Sequence, residues 1–362
     1  MHILHLSSAK TWRGGEQQIA YLIEELNNLQ VQQHVFCVAN GAFASWCQQN
    51  KIRHSVYQKR SSFDPRIARQ LRRLVSQQKI THVHAHDSHA HTYAFLAALL
   101  FGLKTPIIVS RRVDFPVSKS IFSRWKYNHP SIRKIICISE NIQRVMLPAI
   151  KHPDLLVVIH SGVRADKFQA RNQHILRSAY HIPPEKKIIA NIAALADHKD
   201  YPTFIRTAEK ILQLRQDVHF FIIGGDAGEG EYLKSLIASK QLTQSITLTG
   251  YRNDIVAVFP ELDILLFTSK EEGLGTTVLD AFACGVPVVA TAAGGIPEMI
   301  THRVTGCLAP IGEDQQLAKE IIFLLNHEAA KATMIEQAKK QLTHFSSKKM
   351  AATVLSLYHT VS

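Results

Sequence analysis

Ser269-Lys270-Glu271-Glu272-Gly273-Leu274-Gly275-Thr276-Thr277-Val278-Leu279-Asp280-Ala281-Phe282-Ala283-Cys284-Gly285-Val286-Pro287 follows the aliphatic run Ile264 to Phe267. A strand that ends in an acidic, glycine-rich turn, opens a helix at Thr276 and stops it at Gly285 is half of a βαβ unit. Open α/β sheets bind ligands outside the carboxyl ends of their strands. Gly273 and Leu274 shape the turn, and the N–H groups of Gly275, Thr276 and Thr277 at the helix start suit a diphosphate. Carboxylates would repel that phosphate, so Glu272 and Asp280 are expected to accept hydrogen bonds from hydroxyls. Eight residues apart, they fit a ligand with phosphate in its middle and sugar hydroxyls at both ends. A plainer reading stands beside this one: Glu272 as a first-turn carboxylate favouring the helix dipole, and Asp280 as a solvated or capping group.

The pattern repeats along the chain. Short strand-like runs cover Ile3 to Leu6, Val35 to Val38, His82 to His84, Ile107 to Val109, Ile135 to Ile138 and Leu155 to Ile159. A second series covers Ile188 to Ile192, Phe220 to Ile223, Ile246 to Leu248, Ile264 to Phe267 and Val286 to Ala290. Strands alternating with helical patterns imply parallel sheets, and two series imply two doubly wound α/β domains. The junction falls near Ser161 to Arg171, before the helix-like Asn172 to Tyr180. This predicts domains over 1–165 and 166–344, with a final helix in 345–362. With 362 residues, 46% hydrophobic and 20% charged, the chain is too apolar for disorder and long enough for two cores. Its longest apolar run, Ala94 to Gly102, is far short of the roughly 20 residues of a membrane span. The N-terminus lacks signal-peptide character, and five scattered cysteines read as reduced thiols, so a cytoplasmic protein is expected.

Net charge is +13, and its distribution is uneven. Residues 1–165 hold 22 Lys+Arg against 8 Asp+Glu (+14), and the remainder 20 against 21 (−1). The first half should meet something anionic. In Pro65 to Val75, Ile67, Leu71, Leu74 and Val75 recur at helical spacing and leave Arg66, Arg69 and Arg73 outward. Lys119 to Tyr127 mixes Ile121, Phe122 and Trp125 with basic residues, as interfacial segments do. A peripheral contact with an anionic membrane is expected from these features. Nucleic-acid binding is not, because no zinc-finger spacing or RNP-like motif accompanies the charge.

Trp12-Arg13-Gly14-Gly15-Glu16 is a second strand-to-helix turn that could admit an anion, although a Gly-Gly pair is as often just a tight turn. Thr81 to His91 contains five histidines. Strand periodicity puts His82, His84 and His86 on one face, where a transition metal is conceivable. Such residues spread over about 13 Å along a strand. The expectation is therefore no metal, with His86 at a strand end as an acceptor-side contact.

The chain resembles the retaining glycosyltransferases of family GT4. Glu272 to Asp280 resembles the family's paired-acid signature, Gly294-Gly295-Ile296-Pro297-Glu298 the loop after it, and Gly14-Gly15 the N-terminal glycine loop. The resemblance implies the GT-B fold: two Rossmann-like domains facing a central cleft, with the C-terminal helix returning to the N-terminal domain. It implies that Glu272 contacts the transferred sugar, Asp280 the ribose, and Gly275 to Thr277 the distal phosphate. Lys199, in Leu195-Ala196-Asp197-His198-Lys199, takes the family's diphosphate-binding Lys role. The matching Arg position holds Ala194, and Asp280 stands where Glu is usual. Arg112 replaces a family His and is a candidate for cationic help at the diphosphate or for an acceptor site. Base contacts are expected near Tyr251 and Arg252. No metal cofactor is implied. The donor expected on family frequency is a UDP-sugar, and the acceptor a glycan or lipid-linked glycan of cell-surface or lipopolysaccharide synthesis. Two alternatives are kept: a nucleotide-sugar-binding protein without activity, motivated by Ala194 and Asp280, and a His-rich metal-binding protein.

Overall fold

The computed structural model describes residues 1–118, 120–168 and 174–361. Lys119 of the basic-aromatic segment, and Arg171 and Asn172 at the expected junction, lie outside the described residues. The chain forms two compact units, one of Met1–Gly162 with the segment from Ser347 on, the other Val163–Ser346.

The N-terminal unit has seven strands: β1 (His2–Leu6), β2 (Gln32–Val38), β3 (His54–Tyr57), β4 (His82–Ala85), β5 (Ile107–Arg111), β6 (Ile132–Cys137) and β7 (Leu156–Val158). Their order is β3-β2-β1-β4-β5-β6-β7, and adjacent strands pair in parallel. The helices are α1 (Gly14–Asn28), α2 (Ala42–Gln49), α3 (Pro65–Gln77), α4 (Ser88–Phe101), α5 (Ile121–Tyr127) and α6 (Glu140–Met146). Local chemistry sets their ends. Asp64 accepts from Arg66 N ahead of Pro65, and Asp87 accepts from His89 N and Ala90 N to start α4, which stops at left-handed Gly102. On α3, Ile67 and Leu71 are buried while Arg66, Arg69 and Arg73 are exposed, as the spacing predicts.

The C-terminal unit has α7 (Ile175–Tyr180), β8 (Lys187–Ile192), α8 (Tyr201–Leu212), β9 (Val218–Ile223), α9 (Gly230–Ser239), β10 (Ile246–Gly250), α10 (Ile255–Val258), β11 (Ile264–Phe267), α11 (Thr276–Cys284), β12 (Val288–Thr291), β13 (Cys307–Ala309), α12 (Asp314–Asn326) and α13 (Glu328–Leu342). Its six parallel strands run β10-β9-β8-β11-β12-β13. Both sheets reverse direction of growth once, at β1/β4 and at β8/β11.

Two strands fall outside the expected series. β3 is the half-exposed edge strand His54-Ser55-Val56-Tyr57, and β13, Cys307-Leu308-Ala309, holds no β-branched residue. β12 begins at Val288 rather than Val286, because Pro287 cannot donate to the ladder and instead accepts from Leu265 N. The last helix, α14 (Ser347–Thr360), returns to the N-terminal unit. Met350, Ala351, Val354 and Tyr358 share a core with Tyr21, Leu22 and Leu26 of α1, and Ser347 Oγ donates to Glu25 at 2.7 Å. Among the described residues, no helix is long and apolar enough to cross a membrane. The five cysteines are free.

Candidate active site

Two buried side chains 73 residues apart meet where the C-terminal sheet switches direction. Lys199 ends a 3-10 turn (Asp197–Lys199) after β8, and Glu272 lies in the turn after β11. Lys199 Nζ forms an ion pair with Glu272 Oε1, which also accepts from Ser269 Oγ at 2.9 Å. The side chains are 14% and 10% exposed, enough for a ligand to reach and too little for water to screen the pair. Backbone contacts tie the two turns together. Thr268 Oγ1 donates to Lys199 O at 3.0 Å, Lys270 N to His198 O at 2.8 Å, and Thr291 Oγ1 to Ser269 O at 2.6 Å. The Lys199 ammonium also lies 5.4 Å from the Phe267 ring centroid. Lys270, the exposed neighbour, pairs with Asp197 instead.

α11 starts beside this pair at Gly275, whose φ of +82° is left-handed. A Cβ there would sit 2.4 Å from Ile296 Cδ1. No side chain caps this end, which leaves the N–H groups of Thr276 and Thr277 without a side-chain acceptor, as at helix starts that can admit an anion. Gly273 and Leu274 complete the turn, with Leu274 buried. The following loop closes on the site from behind. Gly295 N donates to Glu272 O at 3.1 Å, and a Cβ on Gly294 (φ +51°) would fall 1.8 Å from that oxygen. These glycines let the backbone approach Glu272 closely. Asp280, on α11, is half-buried, and burial pushes its carboxyl up to about 7 against a smaller opposing pull from Lys167.

Other residues are less free. Arg252 is committed to Asp254 through paired contacts, which raise its basicity. Tyr251 is 74% exposed, with its Cβ 3.6 Å from where a Cβ on Gly225 would lie. At Ala194, the flanking backbone is held by Leu195 N donating to Gly225 O and Tyr201 OH to Ala193 O.

In the N-terminal unit, Gly14 and Gly15 open α1, and Glu16 accepts from Arg13 N. Arg112 passes close by: its Cδ would lie 3.8 Å from a Cβ on Gly15. Burial pushes its guanidinium down to about 10, opposed by the Glu16 carboxylate, and its Nε is buried without a hydrogen-bond partner.

The histidines resolve differently from their spacing. His86, just after β4, joins His84 of β4 and His5 of β1, whose nearest ligand atoms lie within 4.8 Å of one another, while His82 stands apart. Gln33 Nε2 donates to Ile23 O and Asn27 Oδ1, so its Oε1 takes the N–H of His5 Nε2 at 2.9 Å. His5 Nδ1 then accepts from His86 Nε2 at 3.0 Å, leaving His86 Nδ1 with a lone pair and no partner. His84 is engaged by Ser110 and Tyr358. A metal would have to displace at least one of these bonds. Burial depresses all three imidazoles, His5 to about 4 and the others well below the usual value, so they are neutral at pH 7.

Ser269, Gln33 and His5 did not stand out in the sequence. Ser269 sits three residues before Glu272, the one available signal. Gln33 and His5 lie on strands whose order alone brings them to His86.

Two family models match, Glycosyltransferase Family 4 over residues 12–167 and Glycosyl transferases group 1 over 172–341. The chain is 22% identical over 305 residues to N-acetyl-alpha-D-glucosaminyl L-malate synthase of Bacillus anthracis, covering 83% of this chain and 80% of that one. It is 30% identical over 200 residues to D-inositol 3-phosphate glycosyltransferase of a Mycobacterium strain, covering 54% of this chain. That match takes in 44% of the mycobacterial protein, so the chain spans about half the length of this relative. Among solved structures, Anabaena HepE in complex with UDP and glucose superposes with a TM-score of 0.87 at 21% identity, covering 99% of this chain and 100% of that one. The switch-point acids, the glycine turn at α11 and these matches agree: the chain belongs to glycosyltransferase family 4, the retaining enzymes of the GT-B fold.

Proposed function

We propose that this protein transfers a sugar from a UDP-sugar to a hydroxyl of a glycan or lipid-linked glycan at the cytoplasmic face of a membrane, in cell-surface or lipopolysaccharide synthesis. The observation that carries the donor half is the Lys199–Glu272 pair beside the uncapped start of α11. An ammonium and helix N–H groups suit a diphosphate. A carboxylate held by Ser269 suits the hydroxyls of the sugar attached to it. The UDP bound by the Anabaena protein of the same fold supports the choice of base. Asp280 is assigned to the ribose and Tyr251 to the base. Arg252 orders the same segment through Asp254.

In the reaction, the bond from the anomeric carbon to the diphosphate oxygen breaks and the acceptor oxygen bonds to that carbon from the same face. The acceptor proton passes to the departing phosphate oxygen. No protein nucleophile and no metal cofactor enters this scheme. Lys199 and the α11 N–H groups stabilise charge growing on the leaving group. Donor arrival draws Lys199 away from Glu272 and frees that carboxylate for the sugar. In the N-terminal unit, the Gly14-Gly15 turn and Arg112 are the anion-facing features, and the free Nδ1 of His86 is an acceptor for a substrate hydroxyl.

A membrane contact is supported by one surface of that unit. Ile121 is 88% exposed, and Phe63, Phe115 and Trp125 are also exposed, with Phe63 and Phe122 rings 4.8 Å apart. Arg124 shares α5 with Ile121, Phe122 and Trp125, and Arg66 opens α3 just after Phe63, as a basic aromatic interfacial patch requires.

The test is binding of UDP and UDP-glucose by calorimetry, together with donor turnover, in wild type and Glu272→Gln. The reading expects UDP to bind both proteins and turnover to vanish in the variant. Wild-type turnover by Glu272→Gln would overturn the assignment, and UDP binding without any donor turnover by wild type would favour the inactive-binder reading.

A further inference from the structure

The N-terminal unit encloses two cations that form no ion pair among the described residues. Arg111, the last residue of β5, and Lys126, in α5, are each 6% exposed. Their contacts are neutral. Arg111 donates to Tyr127 OH at 3.4 Å and to Phe115 O, its guanidinium lies 4.8 Å from the Phe115 ring centroid, and its Nε is buried without a partner. Lys126 Nζ donates to Ser88 O at 3.2 Å and Thr92 Oγ1 at 3.1 Å, and lies 5.5 Å from the Tyr127 ring. His91, fully buried against the same ring at 4.7 Å, has neither ring nitrogen in a well-formed hydrogen bond. Among the described residues, no carboxylate forms an ion pair with either cation. The acid that Lys126 feels is Asp87, whose oxygens are taken by Ser8, His89 N and Ala90 N.

Burying a charge without a partner costs several kcal/mol. Two such charges, a guanidinium Nε buried without a partner, His91 nitrogens in no well-formed hydrogen bond and the exposed Ser88 beside them make a cluster suited to an anion. It lies at the carboxyl end of β5 and the first turn of α4, the edge where open sheets take substrates. We propose that Arg111 and Lys126 form a site for a phosphate-type oxyanion. Its use as the handle of a phosphorylated acceptor rests on the glycosyl-transfer reading; the binding itself does not.

The test uses the full chain, melted with increasing inorganic phosphate, and sedimented with vesicles of phosphatidylcholine with or without phosphatidylglycerol. Lys126→Met and Arg111→Met remove the charges, Lys126→Arg keeps one, and Lys199→Met controls for phosphate held at α11. The expected result is a phosphate-dependent rise in Tm for wild type, Lys126→Arg and Lys199→Met. In the two charge-removing variants phosphate affinity falls about tenfold or more, while the ligand-free Tm is unchanged or higher. If phosphate has no effect but sedimentation with phosphatidylglycerol is lost in those same variants, the oxyanion is a lipid headgroup and the site stands. A wild type that responds to neither probe, or charge-removing variants that respond as wild type does, overturns it. So do variants with a lowered ligand-free Tm and an unchanged response, which would make both cations structural.

Discussion

Replacing Lys199 by methionine keeps the side-chain length and removes the ammonium from the Glu272 turn. Glu272 is then left with Ser269 Oγ as its hydrogen-bond donor, in a site where its side chain is 10% exposed. Removing one partner of a buried pair typically costs about 3–5 kcal/mol, and the residual exposure puts this one near the lower end. Glu272→Gln in the same chain should recover most of that loss, since it removes the stranded charge. Donor binding separates the two effects. A charge-assisted contact to phosphate contributes about 1.5–3 kcal/mol, so Lys199→Met should weaken UDP roughly 10- to 150-fold. Glu272→Gln should bind UDP at least as tightly as wild type, because Lys199 no longer has to leave a carboxylate, and yet turn over no donor. Urea melts of the three variants and calorimetry with UDP measure both arms. UDP affinity within threefold of wild type in Lys199→Met, or a marked loss of UDP affinity in Glu272→Gln, would refute the exchange of Lys199 between Glu272 and the diphosphate.

Asp280 has a folded pKa raised to about 7, so the native state holds a proton that the unfolded chain gives up near pH 4. Stability should fall by up to roughly 1.4 kcal/mol per unit as pH rises from 4 towards 7, and Asp280→Asn should flatten that slope in pH-dependent melts. The neutral histidines act in the opposite sense. His5, His84 and His86 have depressed pKa values, so their contribution is full above pH 6.5 and is lost as pH falls, with His5 charging near 4. His5→Gln should reduce that acid sensitivity in melts between pH 6.5 and 4. Ser269→Ala should lower donor turnover while leaving UDP affinity unchanged, with Ser269→Thr restoring part of the rate; equal losses in both would make Ser269 merely structural. Gly294→Ala forces a Cβ into Glu272 O and should destabilise the fold and abolish turnover, measured by melts and donor consumption.

Much of the architecture was legible because it is written in short-range chemistry. The β-branched runs, the caps at Asp64 and Asp87 and the glycine stops each depend on a few adjacent residues, and the strands alternating with helices leave few ways to wind a sheet. β3 and β13 escaped because they are edge strands, half-exposed His54-Ser55-Val56-Tyr57 and Cys307-Leu308-Ala309, without the β-branched run that marks most of the others. The Glu272 to Gly285 turn was legible for the same local reason, since its acids, glycines and helix start are contiguous.

The sequence by itself determined two doubly wound units, a cationic N-terminal half and an acidic glycine turn after one strand. Strand order decided the rest. β8 beside β11 brings Lys199 to Glu272 across 73 residues, and β1 beside β4 turns an apparent row of histidines into a Gln33–His5–His86 chain of hydrogen bonds. Arg111 and Lys126 read as two more basic residues until the fold buries both against Tyr127, with neither in an ion pair among the described residues. Periodicity tells which face a side chain takes, but its partner and its dielectric surroundings arise only when distant segments pack, and those set its charge and its chemistry.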